Sequence, residues 1–136
     1  MDVSTRALLG GYAKDGKEAL FLLEQSQFPG VLNQQSIVFL ASSLNAWSPE
    51  NKPEKWKMNR NELGWELRLP WDELETKSPF CFKFITEDGF WLEPFHEFGS
   101  VLTSPEGVKN YQFDSRRSGR DVFTFEIVDK DRNEEL

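Results

Sequence analysis

Phe80-Cys81-Phe82-Lys83-Phe84-Ile85-Thr86-Glu87-Asp88-Gly89-Phe90-Trp91-Leu92 carries the clearest structural signal in the chain. Alternation at period 2 places Phe80, Phe82 and Phe84 on one face of an extended segment and Cys81, Lys83 and Ile85 on the other. Asp88-Gly89 supplies the positive-φ residues that a tight hairpin needs, so Phe90 to Leu92 is predicted to return antiparallel.

Upstream, Trp65, Leu67, Leu69 and Trp71 alternate with Glu66 and Arg68, which predicts a second strand over residues 65–71. Ile37-Val38-Phe39-Leu40, between polar Gln and Ser residues, reads as a short buried strand. Downstream, Phe123, Phe125 and Ile127 alternate with Thr124 and Glu126 and predict one more. The stretch 17–27 mixes good helix formers with an apolar run of strand length, and we read it as a strand. Pro29-Gly30 reads as a turn, and Pro49, Pro53, Pro79, Pro94 and Pro105 punctuate the remaining loops. Six to eight short strands with no clear helix predict an antiparallel β-sandwich.

Composition agrees with this. The 136 residues fit one domain, read as residues 1–128 followed by a polar tail over 129–136. Twelve Phe and five Trp favour pleated, half-buried surfaces. A net charge of -7 opposes nucleic acid and anionic lipid as partners. One cysteine, Cys81, and one histidine, His96, are too few for a disulfide framework or a four-ligand zinc site, so no metal or cofactor is expected. The first residues lack the apolar run of a signal peptide, and no stretch reaches the roughly 18 apolar residues of a membrane span, so a cytoplasmic location is expected.

Few residues point to catalysis. No serine or cysteine nucleophile motif surrounds His96, and acids are too numerous for any pair to be informative. Arg116, Arg117 and Arg120 could clamp a phosphate, but acids at both ends and an internal Ser-Gly favour a charged loop tip. Cys81, between two phenylalanines, reads as a small buried filler. Trp65 and Trp71 are in phase with leucines and read as core.

Trp47 and Trp91 differ. Trp47 closes the polar loop Ser42-Ser43-Leu44-Asn45-Ala46-Trp47-Ser48-Pro49, and Trp91 follows the Asp88-Gly89 turn with Lys83 on the strand leading into it. Flat apolar rings near strand ends can stack on the C–H faces of pyranoses while amide and ammonium groups bond the hydroxyls. Loop anchoring or core burial of the same rings is the competing reading.

Val38-Phe39-Leu40-Ala41-Ser42-Ser43-Leu44-Asn45-Ala46-Trp47-Ser48 resembles the strand and loop of starch- and glycogen-binding modules. Lys57-Met58 and Gly64-Trp65-Glu66-Leu67-Arg68-Leu69-Pro70 are similar to the next two strands of those modules. Phe82-Lys83-Phe84-Ile85 resembles their Tyr-Lys-Phe strand, Asp88-Gly89-Phe90-Trp91 their Asp-Gly-x-Trp hairpin, and Asn110 an asparagine ahead of a closing strand. The relatives are the glycogen-binding domain of the AMP-activated kinase β subunit, the early-set N-terminal domains of branching and debranching enzymes, and the glucoamylase starch-binding domain. The similarity runs from about Phe21 to Phe113. Ser42, Leu44 and Ala46 depart from the family, which usually has glycine, often phenylalanine, and asparagine or glycine at these places.

The resemblance implies an all-β, immunoglobulin-like sandwich of early-set type that binds α-1,4-glucan (glycogen, starch or maltodextrin) without catalysing a reaction. It implies stacking by Trp47 and Trp91, hydrogen bonding by Lys83, and a polar contact from Asn110. The implied partners are the polysaccharide and a glycogen- or starch-metabolising enzyme or kinase subunit recruited to it. The alternative is a protein-interaction domain of the same architecture that has lost its glycan site.

Overall fold

The computed structural model describes residues 11–94 and 101–116. Among these residues, nine strands form two antiparallel sheets. The first has the order β1 (Tyr12–Asp15), β2 (Glu18–Glu24), β5 (Gly64–Pro70), β4 (Asn59–Arg60). The second has the order β3 (Val38–Ser42), β6 (Phe80–Thr86), β9 (Lys109–Phe113), β8 (Val101–Thr103), with β7 (Trp91–Leu92) also on β6. Two short helices, α1 (Pro53–Trp56) and α2 (Trp71–Glu75), lie in the connections, and neither is long and apolar enough to cross a membrane.

The alternation along β6 decides how the sheets meet. Phe80, Phe82 and Phe84 point into the core, where Phe82 meets Phe21 of the opposite sheet edge-on at 5.0 Å and stacks on Tyr111 of β9 at 5.2 Å. Phe80 stacks on Phe113 at 4.9 Å, and Tyr12, Trp71 and Phe113 complete an aromatic cluster between the layers. Each fully buried Phe or Leu in this layer contributes on the order of 2 kcal/mol. The Tyr12 hydroxyl spans the sheets, donating to the Asp114 carbonyl at 3.1 Å.

Residues 18–24 are strand β2, and the run Ala19–Leu23 is continuous because both faces of this strand are buried, Leu20 and Leu22 included. Trp71 is core, as its phase suggests, but it opens α2 instead of ending β5. Pro70 has no N–H with which to extend the ladder, and Trp71 N–H turns to the Lys17 carbonyl at 2.9 Å. Asp72 and Glu73 then sit in the helix's first turn, where negative charge is favoured. Lys57 makes only an isolated bridge to Phe39, and the strand expected at Lys57-Met58 lies two residues later as β4. The predicted strand around Phe123 to Ile127 and the tail over 129–136 lie outside the described residues.

Gly64 begins β5 opposite Glu24, where a Cβ would run into the Leu23 carbonyl oxygen and the Glu24 Cα. Gly64→Ala is expected to destabilise the domain by about 1 to 3 kcal/mol through this backbone collision, measured as a lowered urea midpoint at unchanged m-value.

Candidate functional site

On the outward face of β6, Cys81, Lys83 and Ile85 follow one another, and the strands beside them build a groove around Lys83. Leu92 of β7 pairs with Phe84, and Tyr111 of β9 pairs with Phe82, both on the edge of β6 opposite β3. Lys83 therefore stands at the fork between β7 and β9. Glu93, just past the end of β7, and Asn110 of β9 flank it from the two arms. Trp91 pairs with Ile85 and shares its outward face.

Trp47 arrives from the other edge, out of the loop that ends β3. Ser42 caps the turn Ser43–Asn45: its Oγ accepts from Leu44 N–H at 3.0 Å, and Asn45 Oδ1 accepts from Ser42 N–H at 2.9 Å. Asn45 Nδ2 donates back to the Leu40 carbonyl at 3.0 Å, fixing the turn to the strand. The chain then reverses through two successive left-handed residues, Ala46 at φ 55° and Trp47 at φ 60°. Trp47 N–H closes the reversal on the Ser42 carbonyl at 2.8 Å. Left-handed backbone costs a residue with a Cβ roughly 1 kcal/mol or more, and here two such residues aim one indole.

The outcome is a groove of about 440 Å³ lined by Trp47, Lys83, Trp91, Glu93, Val108 and Asn110. The two indoles face the same concavity with centroids 6.3 Å apart and planes inclined at 66°, so they form a corner instead of one flat platform. Trp91 is 41% exposed, and Trp47 is half-buried. Lys83 is 6% exposed, its Nζ 5.4 Å from the Trp91 ring centroid and 3.4 Å from Glu93 Oε2. Glu93 Oε1 accepts from Lys109 N–H at 3.4 Å, which ties the β7 end to β9. All four residues singled out in the sequence thus lie together.

Glu93 and Val108 were not singled out. Glu93 was reachable, since it lies two residues beyond Trp91 and a strand repeats its face at that spacing. Val108 follows a turn over Ser104-Pro105-Glu106-Gly107, with Gly107 at φ 90°; Pro105 marks the turn, but nothing in the sequence shows that it delivers Val108 to the groove.

Other expectations are met differently. Cys81 is partly buried on the outward face instead of filling the core, because Phe80 and Phe82 on either side of it point inward and it points away. Partial burial pushes its thiol pKa up. Arg116 is committed to Asp114, with Nε and Nη2 donating to the two carboxylate oxygens at 3.0 and 2.7 Å, while Arg117, Arg120 and His96 lie outside the described residues. Among the described residues no group of three or more His, Cys, Asp or Glu side chains is placed to hold a metal ion. A second concavity of about 280 Å³, beside Glu87 and Asp88, carries Phe90 as its one aromatic ring. No family model matches this chain, and no curated protein matches it either.

Ala46→Val places a β-branched residue at a left-handed position and is expected to cost about 1 to 3 kcal/mol, whereas Ala46→Gly is expected to leave the domain at least as stable. Thermal unfolding of the two variants checks this order. With its thiol held above the ordinary range, Cys81 is expected to react with iodoacetamide at pH 7 several-fold more slowly than an unstructured cysteine peptide, gaining rate only as pH rises. Equal rates would contradict the burial argument.

Proposed function

We propose that this protein is a non-catalytic α-1,4-glucan-binding module, of the immunoglobulin-like kind found in starch- and glycogen-binding domains. The observation that carries the reading is the pair of indoles, Trp47 and Trp91, turned toward one open groove beside Lys83 and Asn110. Each ring offers an apolar face to the C–H bonds of a pyranose, and the ammonium and amide lie where hydroxyls at the ring edges would reach them. The order of motifs along the chain supports the same reading independently.

The corner between the rings bears on which glucan fits. Consecutive glucose units in an α-1,4 chain turn relative to one another and the chain curves, whereas a β-1,4 chain runs as a flat ribbon. Two indole planes inclined at 66° cannot both lie flat against a ribbon, which favours a curved chain as the ligand. Recruitment of a glycogen- or starch-metabolising enzyme or a kinase subunit to the polysaccharide is the corresponding cellular role, carried out in the cytoplasm.

A groove of this size engages few sugars, so the affinity belongs in the micromolar to millimolar range, roughly -4 to -8 kcal/mol. Affinity electrophoresis is expected to show retardation in gels containing glycogen and none in gels containing a soluble cellulose derivative. Trp47→Ala and Trp91→Ala are each expected to weaken maltoheptaose binding at least about fivefold, the loss of one stacking face. Unchanged affinity in both variants, or no retardation of the wild type, would replace this reading with that of a protein-interaction domain.

A further inference from the structure

We infer that Glu93 is a specificity-determining residue of the groove: by pairing with Lys83 it makes the cradle electrically neutral, so that the site accepts uncharged polyhydroxyl ligands and rejects phosphorylated or uronate-bearing ones. The ligand half of this inference rests on the glucan-binding reading, while the neutralisation of Lys83 stands on the geometry alone.

A lysine 6% exposed in a groove lined by two indoles has lost most of its hydration and would be a strong anchor for any anion entering the groove. Glu93 occupies that role in the structure. One carboxylate oxygen lies 3.4 Å from Lys83 Nζ, and the other accepts from Lys109 N–H at 3.4 Å, so the carboxylate is contacted from both sides. Lys83 thus keeps its ammonium over the Trp91 ring at 5.4 Å with its charge already answered. At 43% side-chain exposure Glu93 also presents its own negative charge to the groove opening, on a protein whose net charge is -7. Hydroxyl groups still find donors and an acceptor in this pair. Among the described residues that line the groove, a phosphate or carboxylate on the ligand finds Lys83 as the one cation, already paired, and meets Glu93 at the edge of the site.

Iodide, a small anion, and acrylamide, a neutral quencher, test the neutralisation without any glucan. Trp56, Trp65 and Trp71 are at most 5% exposed, so quenching by either agent reports on Trp47 and Trp91. Glu93→Gln is expected to raise the iodide quenching constant about two- to fourfold at low ionic strength, with acrylamide quenching unchanged. The added Lys83→Met substitution is expected to return iodide quenching to the wild-type value. In binding, Glu93→Gln is expected to raise affinity for maltoheptaose bearing a 6-phosphate relative to plain maltoheptaose by roughly fivefold or more, a gain that fades as salt is added. Iodide quenching that stays at the wild-type value, that rises together with acrylamide quenching, or that stays high in the double variant would overturn the inference. Wild-type protein that binds neither oligosaccharide would remove the glucan reading while leaving the quenching result to decide the charge pairing by itself.

Discussion

Every other residue along β6 must face away from the core, and that constraint produces both the sandwich and the groove. Phe80, Phe82 and Phe84 commit one side of the strand to the aromatic layer shared with Phe21, Tyr111 and Phe113. The pleat then leaves no choice about Lys83, which must stand on the outer face in the middle of the sheet. A cation there is tolerable because three strands supply its surroundings: the loop after β3 brings Trp47, β7 brings Trp91 and Glu93, and β9 brings Asn110. Slipping the register of β6 by one residue would put a charge in the core and expose the phenylalanines, so site and fold are specified together.

Much of this was legible in the residues, for identifiable reasons. Strands with a clean apolar face, such as β5 and β6, show a period that nothing else imitates. β2 was harder because burial on both faces erases the alternation, and length alone favoured a strand. The short pairings β4 and β8 carry no pattern of their own and exist because a neighbouring strand offers an edge. Trp71 shows the limit of a period argument: a core position satisfies strand and helix start equally, and it was the missing N–H of Pro70 that settled the matter. Among the site residues, the aromatic and amide positions were visible through motif order. Glu93 was overlooked because a surface acid in a chain with 23 acids draws no notice until its partner is seen.

The groove uses strain and charge in a consistent way. Ala46 and Trp47 hold left-handed backbone that neither prefers, supported by the Ser42 and Asn45 side-chain bonds beneath them. Rigidity of this sort would favour any weakly bound ligand, since a loop that had to order itself on contact would consume part of a small binding energy. The paired charges act similarly, because an ammonium already positioned over an indole needs no rearrangement to meet a hydroxyl.

The two indoles come from segments far apart in the chain and from opposite edges of β6. A ligand touching both would brace the β3 loop against the β6–β7 hairpin, linking occupancy to the global folding equilibrium. At ten times its dissociation constant such a ligand would add about 1.4 kcal/mol, so the domain would resist unfolding more where that ligand is abundant and less where it is scarce.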